Sequence, residues 1–199
     1  MITFAITGSI ATGKSTVTST IRDKYNIPIV DADVIAREVV EVGRPCLTHL
    51  VHAFSDKILN QDGTLNRKYL GNLCFNNKDI LNSVNRIVGP FIKEESFKQI
   101  QSLHESGHYL VGYDSALLIE MKLHTLYKPI IVVTCSPETQ LNRLMNRNNF
   151  SKEEAMARIS SQMSLSDKVK YADLIINNDS GLMELNSEIY SVVNKLKQL

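Results

Sequence analysis

The residues Gly8-Ser9-Ile10-Ala11-Thr12-Gly13-Lys14-Ser15 fit G-x-x-x-x-G-K-[ST] at every fixed position. The chemistry of that spacing is the cradling of phosphate. Its glycines let successive backbone N–H groups turn toward one anion, and a helix beginning there adds a partial positive charge. Lys14 would reach the β- and γ-phosphates of a nucleotide, and the Ser15 hydroxyl would ligate Mg²⁺. Phosphoryl transfer to a hydroxyl also needs a carboxylate that takes the acceptor's proton, and cations that stabilise charge spreading over the γ-phosphate. Asp31 and Asp33 are candidates for the base, and Asp114 for orienting the metal's water shell. Arg143 and Arg147 stand four apart and so share a helix face; Arg158 is followed at the same interval by Gln162. Each has a structural role in competition with the chemical one. Aspartates are favoured at a helix N-cap and in its first turn, and arginines line solvated helix faces.

Positioning these groups requires an alternation of strands and helices. Residues 2–6 read as a buried strand, and residues 16–24 can continue as a helix. Ile27-Pro28-Ile29-Val30 reads as a second strand. A helix from Asp31 to about Glu41 then presents Ile35, Val39 and Val42 on one face. From residue 43 to about 106 the pattern is helical throughout, with Asp62-Gly63 as a turn and stretches at 66–75 and 78–88. Pro90 is expected in the first turn of a further long helix. Residues 109–113 and 130–133 read as third and fourth strands, the third ending at Asp114. Pro137 opens a helix, 146–151 is a polar break, and Ser151 with Glu154 forms a capping box. Residues 174–176 read as the fifth strand and 181–199 as the closing helix. This order predicts a parallel sheet covered on both faces, with ligands beyond the carboxyl ends of its strands. The loop after the first strand, the aspartates after the second and Asp114 after the third are expected there.

Composition narrows the class. The 199 residues carry 22 Lys plus Arg against 21 Asp plus Glu, so neither a nucleic-acid-binding surplus of positive charge nor an acidic disordered character is indicated. Apolar runs are far too short for a membrane span, and residues 1–6 lack the basic flank and length of a signal peptide, so a cytoplasmic protein is expected. Cys46, Cys74 and Cys135 are odd in number and widely spaced, and read as buried or half-buried thiols. His104-Glu105-Ser106-Gly107-His108 matches a zinc motif, but Gly107 terminates the helix the motif needs.

These residues resemble the dephospho-coenzyme A kinase family, P-loop kinases that phosphorylate the ribose 3′-hydroxyl of dephospho-CoA. The likeness covers nearly the whole chain. It includes residues 7–16, Asp31-Ala32-Asp33-Val34-Ile35-Ala36-Arg37, Asp62-Gly63-Thr64-Leu65 with Arg67, and residues 114–120. It also includes Gln140 with Arg143 and Arg147, and Ala172-Asp173 with Asn177. The D-A-D-x-I-A-R stretch is its specific part.

The resemblance implies an α/β fold of P-loop NTPase type, a doubly wound, five-stranded parallel sheet with a helical acceptor-binding insertion and a lid. The nucleotide-binding core would be 1–42 and 107–199, the lid about 146–165, and the CoA-binding insertion 43–106. It further implies ATP as donor with Mg²⁺, dephospho-CoA as acceptor, and neither nucleic acid nor membrane as partner. Asp33, Lys14 and Arg143 would be the catalytic groups. Gly8, Ala11, Thr12, Gly13, Lys14, Ser15, Thr16, Arg147 and Asn177 would hold the nucleotide, with Ser15 on the metal. Asp33, Arg37 and Leu117 would meet the acceptor. Ser9 and Ala11 stand where the family commonly has glycine, Ser115-Ala116 where Val-Pro is usual, Gly89 for a histidine and Asn66 for an aspartate. A nucleoside or nucleoside-monophosphate kinase would share the loop, lid and insertion, and a panel of acceptors separates the two. A nucleotide-dependent switch is the rival from another class; the N-K-x-D signature of GTP switches is absent.

Overall fold

The computed structural model describes residues 1–199. Five strands, β1 (Ile2–Gly8), β2 (Ile29–Asp31), β3 (Leu110–Asp114), β4 (Ile130–Thr134) and β5 (Leu174–Asn177), form one parallel sheet in the order β2-β3-β1-β4-β5. The register pairs Ile6 with Asp114 and Gly8 with Val133, and further out Thr134 with Asn177. That pairing brings the ends of β1, β3, β4 and β5 to one edge. Strand order reverses on either side of β1, which makes the end of β1 a topological switch point, where open α/β sheets bind ligands. Phe4, Ile6, Val111, Ile131 and Val133 are wholly buried, as strands covered on both faces must be.

The helices are α1 (Lys14–Tyr25), α2 (Ala32–Glu38), α3 (Pro45–Phe54), α4 (Arg67–Asn76), α5 (Lys78–Glu105), α6 (Pro137–Asn148), α7 (Lys152–Ser160), α8 (Leu165–Val169) and the closing α9 (Leu182–Lys197). Helix α9 buries Leu185, Ile189, Val192, Val193 and Leu196, an apolar stripe at helical spacing, and α1 buries Val17 and Ile21. Both stripes join Phe4, Ile6, Ile131, Val133 and Ile176 in one core. Each such side chain contributes about 1.5–3 kcal/mol of burial, so the strand carrying the phosphate loop is held at its most heavily packed point.

The chain divides into two compact units, Met1–Val30 with Ser102–Leu199, and Asp31–Gln101. This division places α2, with Asp33 and Arg37, in the helical unit, whereas the sequence pattern keeps it with the sheet. The reason lies in packing: Ala36 and Val40 face Leu50, Leu65, Leu70, Val84 and Val88 across an apolar cleft of about 250 Å³.

Two expected boundaries differ. Residues 78–105 form one helix that continues through Pro90. Proline costs roughly 3 kcal/mol in a helix interior, but Pro90 is on the exposed side, while Val84 and Val88 pack toward the cleft. The polar break at 146–151 is shorter than expected, because α6 runs on to Asn148 and ends with Asn149 in the left-handed conformation (φ 52°). The capping box at Ser151 and Glu154 is formed. No helix is long and apolar enough to cross a membrane.

Candidate active site

The phosphate loop follows β1 and turns into α1 through two residues with positive φ, Ala11 (62°) and Gly13 (86°). A β-carbon on Gly13 would stand 2.1 Å from Asn178 Nδ2, so both dihedral angle and space require glycine here. Ala11 has no such licence and occupies a left-handed conformation that costs an L-residue about 1–2 kcal/mol.

The loop is held by side chains from elsewhere in the sheet unit. Asn178 Nδ2 donates to Thr12 O at 2.9 Å, and Gln140 Nε2 donates to Ile10 O at 2.8 Å. Gln162 Oε1 accepts from the Ile10 N–H at 2.8 Å. The Thr12 hydroxyl donates to Ser9 O at 2.9 Å, and the Ser9 hydroxyl donates to Met163 O at 3.3 Å. These bonds satisfy the carbonyls of Ser9, Ile10 and Thr12 and the Ile10 N–H. No side chain caps α1, so the N–H groups of Gly13, Lys14 and Ser15 are left at a helix N-terminus carrying roughly half a positive charge. The whole constitutes an anion site built from backbone.

Lys14 Nζ is ion-paired with Asp114 at the end of β3. Asp114 is almost wholly buried and Lys14 largely so, which keeps the ammonium against the loop instead of in solvent. Ser15 and Thr16 are exposed at the first turn of α1, and Gly8 and Thr12 are buried beneath the loop. Leu117, three residues past Asp114, is 43% exposed on the turn that follows β3.

Arg143 and Arg147 both lie on α6 but in unlike surroundings. Arg143 is half-buried beside the Cys135 thiol and the Asp179 carboxylate, with its Nη1 buried and unbonded. Burial raises the Cys135 thiol above its ordinary value, and the Arg143 cation opposes that rise. The Ser136 backbone N–H holds Asp179 below the usual aspartate value, with Arg143 adding to the effect. Arg147 is exposed and bonds its neighbour Asn148. Asn177 is exposed and accepts from Asp179 N. It is the next residue, the buried Asn178, that reaches the phosphate loop. Sequence reasoning missed Asn178, because a side chain that bridges 166 residues leaves no local period to detect.

In the helical unit, Asp31 caps α2, its Oδ1 accepting from Asp33 N at 2.8 Å and Val34 N at 3.2 Å. The capping role considered for both aspartates therefore falls to Asp31, and the Asp33 carboxylate stays exposed in the first turn. Arg37 is exposed one turn on, and Arg67 Nη2 donates to its carbonyl at 3.0 Å. Arg67 also lines the cleft, where it is the one charged group in a wall of Ala36, Val40, Leu50, Leu65, Leu70 and their neighbours. An apolar wall with one or two fixed polar groups is the usual make-up of a small-molecule site.

The family model for dephospho-CoA kinase matches residues 2–184. The chain belongs to the dephospho-CoA kinase family. It is 45% identical over 194 residues to a dephospho-CoA kinase of Bacillus cereus, covering 98% of this chain and 96% of the relative. It is 45% identical over 193 residues to one from Listeria monocytogenes, covering 97% and 96%. The solved dephospho-CoA kinase of Campylobacter jejuni superimposes with a TM-score of 0.74 at 30% identity, covering 98% of this chain and 97% of that one. Dephospho-CoA kinases transfer a phosphoryl group to a hydroxyl in the final step of coenzyme A biosynthesis, and ATP is the donor implied by the P-loop kinase class.

The zinc-like motif has another use in this family member. His104 Nε2 bonds the Thr3 hydroxyl at 3.0 Å and Nδ1 bonds the His108 carbonyl oxygen at 2.7 Å. Both ring nitrogens are thus engaged, Nε2 in fastening the end of α5 to β1 and Nδ1 in closing the turn that follows α5.

Proposed function

We propose that the protein transfers the γ-phosphoryl group of ATP to the ribose 3′-hydroxyl of dephospho-CoA, with Asp33 as the base. The uncapped N-terminus of α1 behind Gly13 is the observation that carries the donor half of this reading. It offers backbone N–H groups to the phosphates, and Lys14 can exchange Asp114 for the β- and γ-oxygens when they arrive. Gly8, Ala11, Thr12 and Thr16 shape or border that cradle, while Arg143 and Arg147 on α6 and Asn177 at the end of β5 are assigned to the nucleotide on the family's pattern. The acceptor half rests on the exposed Asp33 and Arg37 and on the apolar cleft, whose wall suits the aliphatic part of a CoA precursor. Leu117 is assigned to the acceptor on the family's pattern alone.

In the transfer the 3′-oxygen attacks the γ-phosphorus as Asp33 takes its proton, and the bond to the β–γ bridging oxygen breaks to release ADP. Arg143 stabilises charge on the transferring group. Mg²⁺ fits the residue present: the Ser15 side chain is exposed at the first turn of α1, where a single hydroxyl suits an ion held mainly by phosphate and water. When bound it would neutralise charge on the β- and γ-oxygens.

The test uses purified protein with ATP, MgCl₂ and dephospho-CoA, reading CoA formation by chromatography. Turnover is expected for dephospho-CoA and not for a panel of nucleosides and nucleoside monophosphates. Absence of turnover with Mg²⁺ present overturns the reading. Asp33→Asn is expected to abolish turnover at unchanged ATP affinity; full activity in that variant removes Asp33 as base.

A further inference from the structure

Lys168, on the short helix α8, is wholly buried, side chain included. A buried ammonium is costly unless fully paired, and the hydrophobic core has no use for one. Its partners show where it acts. Nζ donates to Ala116 O at 2.5 Å and lies 3.0 and 3.1 Å from the two carboxylate oxygens of Glu120. Glu120 Oε1 also accepts from Met163 N at 3.1 Å, and Ala116 O also accepts from the Thr7 hydroxyl at 3.4 Å.

Met163 and Gln162 are the residues that clasp Ser9 and Ile10 of the phosphate loop, and Ala116 lies two residues beyond Asp114, the partner of Lys14. One cation therefore joins the turn after β3 to the segment that leaves α7, and both of these flank the loop. Burial holds the Lys168 ammonium below the usual lysine range; pairing with Glu120 opposes this, and repulsion from Lys14 adds to it. The two ammonium groups thus share one electrostatic neighbourhood, where an arriving polyphosphate would be welcome to both.

We propose that Lys168 is a positioning residue for phosphoryl transfer. Its ammonium locks residues 115–120 and 161–163 in register with the phosphate loop, so that Asp114, Lys14 and the loop backbone stand in place before nucleotide binds. The inference rests on the kinase reading above, and wild-type turnover in the same assay tests that reading separately.

Lys168→Met alone strands the Glu120 carboxylate and lowers stability. The double variant Lys168→Met/Glu120→Leu removes both partners, a change that is often neutral or stabilising for a buried pair. A merely structural Lys168 would then be dispensable. The expected result is a double variant melting within about 3 °C of wild type with kcat reduced roughly 10- to 100-fold, KM for ATP raised and KM for dephospho-CoA unchanged. A double variant with kcat and KM for ATP both within twofold of wild type overturns the proposal. Should the double variant not fold, Lys168→Gln decides: it removes the ammonium but keeps a side-chain donor on α8, and a fivefold or greater loss of kcat with KM for ATP raised supports the proposal, whereas both within twofold of wild type overturn it.

Discussion

The sheet unit and the helical unit handle their ligand-facing groups in opposite ways. In the sheet unit the groups that would meet phosphate are backbone amides and one lysine, and long-range hydrogen bonds from Gln140, Gln162 and Asn178 hold the loop that carries them. In the helical unit the polar candidates Asp33 and Arg37 are exposed, and the cleft is lined almost wholly by aliphatic side chains on half-buried helices. A polyphosphate is small, highly charged and shared by many reactions, so a preorganised dipole cradle suits it. An acceptor with a long, weakly polar arm is held through buried area, which tolerates a softer wall.

The difference can be broken or sharpened by substitution. The largest effect is expected for Lys14→Ala, which removes the cation proposed to follow charge onto the γ-phosphate: kcat should fall about 10²–10³-fold and ATP binding should weaken, as steady-state kinetics and calorimetry would show. Next comes Gly13→Ala, where the left-handed φ and the 2.1 Å approach of Asn178 leave no room. A stability loss of roughly 1–3 kcal/mol in urea denaturation is expected, together with weaker ATP binding. In the helical unit, Gly71→Leu should behave differently. Gly71 lines the cleft and has open space where a side chain would begin; filling it should raise KM for dephospho-CoA about tenfold, worth roughly 1.4 kcal/mol, and leave KM for ATP unchanged. If KM for ATP rises instead, the assignment of the two units to two ligands fails. The smallest effect is expected for Ala11→Gly. Relief of the left-handed strain, partly offset by the greater entropy of the unfolded glycine chain, should stabilise the fold by about 0.5–1 kcal/mol, measurable as a rise in melting temperature at unchanged kcat.

The contrast also explains which parts were legible in the sequence. The loop from Gly8 to Ser15 was visible because its demands are local: glycine where φ must be positive, a lysine and a hydroxyl at the first turn of a helix. The capping box at Ser151 and the N-cap at Asp31 were visible for the same reason. Pro90 misled because its local preference is for a helix start, whereas packing of Val84 and Val88 on one side and Ile100 on the other carries the helix through. The extent of α6 misled because Asn146, Arg147 and Asn148 are polar without being breakers, and only the left-handed Asn149 ends the helix.

By itself the sequence determined the phosphate loop, the order of strands and helices, and a family resemblance that full-length relatives bear out. Those features depend on residue type at short spacing, which a linear reading can see. Tertiary structure alone decided that Asn178, not Asn177, supports the loop, that α2 packs with the helical unit, and that Lys168 is buried between Ala116 and Glu120. A buried polar side chain takes its meaning from whichever partner satisfies it, and for these residues the partners lie 48 to 166 positions away.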